Sequence, residues 1–143
     1  MTDLRQVTAA VDSISSVDDA AQLAALQRAV DQFFASSAPA QHLDVWFRLF
    51  ERFPEDDGYE MFWSVLHGLE AQPGYEPLVV ESVRRRPSQF PVLMLNRMLN
   101  AGQTAVGDVD LLALLESVAA DESCPASVRD DARRFVQYQT GRA

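Results

Sequence analysis

The feature that most constrains this chain is the spacing of its apolar residues, which repeat at the period of an α-helix. Phe62, Val65, Leu66 and Leu69, for example, lie at positions i, i+3, i+4 and i+7. This spacing places the four side chains on one face of a helix, where they can pack against a core. No segment alternates apolar and polar residues over the length of a strand, so we expect no strands. The sequence therefore predicts an all-α fold.

The sequence predicts about eight short helices, because proline and glycine residues interrupt the apolar stripes at short intervals. Ser16 is the expected N-cap of the second helix, since Asp18 and Asp19 would place negative charge in the first turn that follows. The predicted helices cover residues 3–13, the stretch from Ser16 to the turn at 36–39, 40–53, 59–71, 76–85, 90–100, a segment that begins at 108, and 125–138.

The architecture follows from the length of the chain and from the connections between the helices. With 143 residues, the chain fits a single all-helical domain over residues 1–143. Short connections imply antiparallel neighbours. In the last predicted pair, a leucine-rich helix at 111–116 precedes Val128-Arg129-x-x-Ala132, and this pair resembles a HEAT-type repeat. The resemblance implies an irregular HEAT-like α-solenoid, and a globular helical bundle is the alternative.

The composition indicates a cytoplasmic protein that binds neither nucleic acid nor a membrane. The chain carries 21 acidic and 12 basic residues and a net charge of −9, whereas nucleic-acid binding needs a basic surface. The apolar runs are far shorter than the roughly 20 residues that span a bilayer. Residues 1–16 lack the pattern of a secretory signal. Cys124 is the only cysteine and so has no partner within the chain for a disulfide, which favours a reducing compartment.

The sequence offers little that would support catalysis. His67 and Glu70, at i and i+3, are a single incomplete metal motif, so we expect no metal and no other cofactor. Cys124 has no histidine near it in sequence, and no glycine-rich phosphate loop is present. We therefore predict that the protein is not an enzyme. A helical metal-dependent enzyme is retained only as the least favoured alternative.

The charged side chains have ordinary structural explanations. Arg84-Arg85-Arg86 lies at a predicted helix C-terminus, where cations interact favourably with the helix dipole. We expect one of these arginines to reach a helix carboxylate such as Glu70 or Glu81. Glu51 is expected to point outward from the third helix.

The predicted helix at 59–71 carries a second stripe beside its core face. Glu60, Trp63, His67 and Glu70 stand at i, i+3, i+7 and i+10. An aromatic residue and a histidine between two carboxylates could anchor a protein partner, as aromatic residues commonly do at interface hot spots. The alternative is that Trp63 packs beneath a neighbouring helix and His67 forms a hydrogen bond inside the protein.

The same region carries a family resemblance. The segments 62–70, 74–76, 82–85 with 87–88, and 95–100 resemble the all-helical immunity proteins of bacterial polymorphic toxin systems, with Trp63-x3-His67-Gly68-x-Glu70 as the most distinctive part. The resemblance implies a cytoplasmic protein that binds and neutralises one cognate toxin domain, usually without catalysis. An acidic surface would suit a basic toxin such as a nuclease. The alternative function is a HEAT-like adaptor or scaffold of a cytosolic complex. The candidate partner-binding residues are Glu55, Asp56, Asp57, Glu60, Trp63, His67 and Glu70.

Overall fold

The computed structural model describes residues 3–36 and 39–141, and within them the all-α prediction is confirmed. A 3₁₀ turn at Pro39–Gln41 precedes the third helix, and a small hairpin separates the sixth and seventh. The helices are α1 (Leu4–Asp12), α2 (Ala20–Phe34), α3 (Asp44–Arg52), α4 (Met61–Glu70), α5 (Tyr75–Arg85), α6 (Gln89–Asn100), α7 (Leu111–Ala119) and α8 (Ala126–Thr140).

The expectation of no strands is wrong for one short segment. Strands β1 (Ala105–Val106) and β2 (Val109–Asp110) pair antiparallel around Gly107 and Asp108. Gly107 has a φ of +59°, which suits a two-residue hairpin loop. Strands of two residues are too short for alternation to be visible in the sequence. Because β2 occupies Val109–Asp110, α7 begins at Leu111 and not at 108 as the sequence predicts.

The N-terminus of α2 also differs from its prediction. The N-cap is Asp19, whose carboxylate accepts a hydrogen bond from the Gln22 N–H at 3.2 Å. The Ser16 hydroxyl instead accepts the N–H of Asp18 at 3.1 Å, two residues further along a turn. Both residue types are good N-caps, so composition alone does not decide between them.

Helix α6 lies at the centre of the packing, because it contacts α3, α4, α5, α7 and α8. The sequential pairs α1–α2, α5–α6 and α7–α8 also pack together. The buried apolar side chains form one continuous core from Val7 to Ala132. Such an arrangement is compatible with an irregular helical bundle.

Three phenylalanines fix α4 against its neighbours. The rings of Phe50, Phe62 and Phe90, from α3, α4 and α6, have centroid separations of 5.2 Å, 5.4 Å and 5.7 Å. Aromatic contacts at these distances stabilise a core beyond the area that they bury. The N-terminal half of α4 is therefore held firmly, which matters for the side chains on its other face.

An ion pair between the buried Glu51 and the partly exposed Arg85 joins α3 to α5 and corrects two expectations. Glu51 is only 8% exposed rather than directed outward. Its carboxylate accepts hydrogen bonds from Arg85 Nε at 2.8 Å, Arg85 Nη2 at 2.6 Å and the Ser82 hydroxyl at 2.7 Å. The carboxylate raises the pKa of the Arg85 guanidinium above its usual range through these hydrogen bonds. Arg85 thus reaches Glu51, and not Glu70 or Glu81.

Candidate functional site: the aromatic face of α4

The candidate site is the exposed side of the α3–α4 loop and the first turns of α4. Three large hydrophobic side chains are exposed in the described part of the chain, and two of them, Tyr59 at 70% and Trp63 at 39%, lie here. His67, one turn beyond Trp63, is also exposed. We call Tyr59, Trp63 and His67 the aromatic face of α4.

An unusual backbone conformation presents Tyr59 to the surface. Gly58, Tyr59 and Glu60 have consecutive positive φ angles of 59°, 52° and 71°. A left-handed conformation costs an L-residue roughly 1–2 kcal/mol, so neither Tyr59 nor Glu60 adopts it without compensation. This conformation explains why α4 begins at Met61 and not at 59 as the sequence predicts.

The compensation comes from backbone hydrogen bonds at the start of α4. The N–H groups of Met61, Phe62 and Trp63 donate to the carbonyl oxygens of Gly58, Asp57 and Glu60 at 3.1 Å, 3.0 Å and 3.1 Å. No side chain caps this helix, so the loop backbone satisfies N–H groups that would otherwise lack partners. The positive φ angles are therefore tied to the formation of α4.

Side chains fix the same loop from within. The Asp57 carboxylate accepts the Tyr59 N–H at 3.1 Å. A Cβ atom at position 58 would lie 2.8 Å from Cδ1 of Phe62, so only glycine fits against that ring. The loop is thus packed directly against a core phenylalanine.

The loop is also tied to more distant helices. The Pro54 carbonyl oxygen accepts the Gln89 N–H, at the start of α6, at 2.8 Å. The Glu55 carboxylate accepts a hydrogen bond from the Ser127 hydroxyl in α8. These contacts hold the acidic residues and Tyr59 in a defined position relative to the core, which lowers the entropy that a binding partner must remove.

The structure bears on whether Trp63 and His67 lie at the surface or pack inside the protein. One side of the Trp63 ring packs edge-to-face on Phe90, with centroids 5.2 Å apart and an interplanar angle of 77°. The His67 ring lies 6.3 Å from the Trp63 ring along the surface. Trp63 is therefore supported by the core yet remains partly open to solvent, and His67 is not inside the protein.

Glu70, unlike the other predicted carboxylates, forms an ion pair within the chain. Its two oxygens accept hydrogen bonds from Arg97 Nε and Nη2, each at 2.8 Å, and it lines a separate cleft of about 500 Å³ with Tyr75 and Arg97. A bidentate pair of this kind satisfies the carboxylate internally. Of the predicted carboxylates, Glu70 is thus the one whose charge is already neutralised by an arginine within the chain.

The other predicted carboxylates lie just before α4, at the opposite end of this helix from Glu70. Glu55, Asp56, Asp57 and Glu60 are exposed, and none forms an ion pair with another described residue. Partial burial raises the pKa of Asp56 above its ordinary value, and the negative charges of Asp18, Asp57 and Glu55 add to the effect. Arg52 Nη2 donates to the Ile14 carbonyl oxygen at 3.3 Å, which ties the α1–α2 connection to the end of α3, where this loop begins.

Sequence reasoning missed two members of this surface. The sequence predicts Tyr59 in a helix without a surface role, because the left-handed backbone that exposes it depends on loop hydrogen bonds that no residue spacing shows. Asp18 was considered only as a charge at the start of α2. Its proximity to Asp56 depends on the packing of α1 and α3, which no local pattern contains.

Comparison of the chain with protein-family models, with curated proteins and with solved structures found no match. Across residues 3–36 and 39–141, no group of three histidine, cysteine or acidic side chains is placed to hold a metal ion. Cys124 is buried, and its burial raises the pKa of the thiol, which disfavours the nucleophilic thiolate. None of the described helices is both long enough and apolar enough to cross a bilayer.

Another cleft lies away from the aromatic face of α4. It has a volume of about 540 Å³ and separates the C-terminal end of α5 from the hairpin and α7, with Arg84, Val109 and Leu114 among its lining residues. None of the sequence-predicted site residues contributes to it. Tyr59, Trp63 and His67 likewise do not line this cleft.

Proposed function

We propose that this chain is an immunity protein, which binds one cognate toxin domain and blocks it sterically and electrostatically without catalysis. The observation that carries the proposal is the pair Tyr59 and Trp63, two exposed aromatic side chains held on a rigid loop and helix beside unpaired carboxylates. Aromatic residues with rigid backbones are typical hot spots of protein interfaces.

The charge of the molecule supports a basic partner. The net charge is −9, and the carboxylates nearest to the aromatic face lack internal counter-ions. A basic toxin domain would be attracted to this surface, and its own substrate groove would be covered on binding. A cytoplasmic location belongs to the same proposal.

Affinity capture from the native host tests the proposal when three baits are compared. The baits are the wild-type protein, Tyr59→Asn with Trp63→Ala, and Tyr138→Asn. Asparagine tolerates the left-handed conformation at 59, and Tyr138, at 71% exposure on α8, is a matched exposed tyrosine outside the site. We expect one large protein to be recovered with the wild type and Tyr138→Asn, and to be lost with the double variant.

Neutralisation completes the test. The toxic C-terminal domain of the recovered protein, expressed in a heterologous host, should arrest growth, and co-expression of the wild-type chain should restore it. Recovery of subunits of a housekeeping complex, with no effect on toxicity, would instead favour the HEAT-like adaptor. Equal recovery with all three baits would refute the aromatic face as the binding surface.

A further inference from the structure

The aromatic face of α4 combines two properties that bear on which partner side chain it receives. The first property is that the indole ring of Trp63 is held on one side by contact with the core. Trp63 packs on Phe90, which belongs to the phenylalanine cluster of the core, while 39% of its surface stays exposed. A fixed aromatic surface of this kind loses little side-chain entropy when a flat group stacks on it.

The second property is negative charge without a local counter-ion. Glu60 lies between Tyr59 and Trp63 in sequence, and Asp57 supports the Tyr59 backbone. In the described chain, ion pairs form at other carboxylates: Asp3, Asp12, Asp44, Glu51, Glu70, Asp130 and Asp131. The carboxylates nearest to the aromatic face are thus available to a cation from outside.

An aromatic surface next to carboxylates distinguishes arginine from lysine. The planar guanidinium stacks on an aromatic ring while its N–H groups bind a carboxylate, and it is more weakly hydrated than an ammonium group. A lysine ammonium gains the Coulomb attraction but stacks poorly and must lose a tighter hydration shell. We therefore propose that the aromatic face of α4 receives arginine side chains of its protein partner in preference to lysine side chains.

This inference rests on the proposed function, since it names the chemistry of the partner at the same surface. It has a direct test that does not need the partner. Hexa-arginine and hexa-lysine peptides carry equal charge, so a difference between them reports the side chain and not the net electrostatic attraction. Fluorescein-labelled peptides titrated with the full chain at low ionic strength give a binding midpoint from fluorescence anisotropy.

We expect the arginine peptide to bind with a midpoint about two- to fivefold lower than that of the lysine peptide. Tyr59→Asn with Trp63→Phe should reduce this ratio toward one, because phenylalanine is a weaker partner for cations than tryptophan. Tyr138→Asn should leave the ratio unchanged. Trp63 also provides an internal signal, because the other tryptophan, Trp46, is fully buried and gives a constant background.

Two results would overturn the inference. Equal midpoints for the two peptides would mean that charge alone attracts cations to this surface. A preference for arginine that persists unchanged in the double variant would place the binding elsewhere on the acidic molecule. Neither result would refute the proposed function, which depends on capture and neutralisation. Failure of capture together with a confirmed arginine preference would refute the immunity function alone.

Discussion

At the residue scale, Gly58 is the position on which the shape of the α3–α4 loop most depends. It has a φ of +59°, and a Cβ atom there would lie 2.8 Å from Cδ1 of Phe62. Gly107 has the same φ, with no atom within 4 Å of an added Cβ. The two glycines therefore separate the cost of a left-handed backbone from the cost of crowding.

We predict that Gly107→Ala lowers the free energy of unfolding by about 1–2 kcal/mol, the usual cost of a left-handed alanine. Gly58→Ala should lower it by about 2–4 kcal/mol, because crowding against Phe62 adds to that cost. Urea denaturation of the two variants gives both values. Equal losses would mean that crowding of the new methyl group against Phe62 adds no cost.

The pKa of Asp56 gives a second prediction at this scale. Because its pKa is raised in the folded protein, the folded state binds the proton more tightly than the unfolded state does. The stabilisation from protonated Asp56 is present below the ordinary aspartate pKa and is lost as the pH rises through the raised value. At neutral pH the charged side chain therefore destabilises the fold.

Asp56→Asn should accordingly stabilise the protein at pH 7 by about 0.5 kcal/mol or less, a small effect because the carboxylate is largely solvated. The gain should vanish in melts below the ordinary aspartate pKa. Glu122→Gln removes one negative charge from an exposed position in the α7–α8 connection, outside the α3–α4 loop, and serves as the control. A gain of equal size in Glu122→Gln would attribute the effect to net charge and not to the cluster around Asp56.

At the scale of elements, the contact between α3 and α5 depends on Glu51 and Arg85. Glu51→Ala leaves the buried Ser82 hydroxyl without its partner and leaves the Arg85 guanidinium with only its contact to Asp44, at 3.3 Å. Loss of one member of a fully buried pair costs about 3–5 kcal/mol, and we expect about 2–3 kcal/mol here because the Arg85 side chain is 43% exposed.

The control for this prediction is Arg84→Ala, which removes the neighbouring exposed arginine. In the described residues Arg84 forms no ion pair, so its loss should change stability by less than about 0.5 kcal/mol. Thermal unfolding at neutral pH compares the variants. A loss of stability in Glu51→Ala no larger than in Arg84→Ala would contradict the role of the pair.

Helical periodicity predicted the elements well and their ends less well. The stripe Phe62, Val65, Leu66 and Leu69 is buried as expected, because period and burial are set by the same geometry. The start of α4 was misplaced, since the left-handed residues Tyr59 and Glu60 are held by backbone hydrogen bonds that no residue pattern shows. The hairpin before α7 was missed because its strands have two residues each.

Only part of the candidate site could be predicted from the sequence, because some of its contacts join helices that are distant along the chain. The exposure of Trp63 and His67 follows from their angle to the core stripe on one helix. The pairing of Glu70 with Arg97, and of Glu51 with Arg85, depends on contacts between helices distant in sequence. Long-range ion pairs cannot be read from local spacing, so the sequence does not distinguish a free carboxylate from a paired one.

At the scale of the whole molecule, ion pairs neutralise some carboxylates and leave others without a partner. Arginines pair with the carboxylates between α1, α3 and α5, with Glu70 and with those along α8. Among the described carboxylates outside these pairs, Glu55, Asp56, Asp57 and Glu60 lie in the same loop as Tyr59, just before α4. Two of the three exposed aromatic side chains in the described chain, Tyr59 and Trp63, thus share this region with unpaired negative charge, as expected for one interaction surface.

The most direct test of this account is to measure affinity and stability together for Trp63→Ala, with the partner domain recovered by affinity capture titrated by calorimetry. We predict that binding weakens by about 2 kcal/mol or more. The free energy of unfolding should fall by only about 1–2 kcal/mol, below the about 3–5 kcal/mol of a buried tryptophan. Unchanged affinity, with a loss of stability typical of a core residue, would contradict the central claim that the aromatic face of α4 binds the partner.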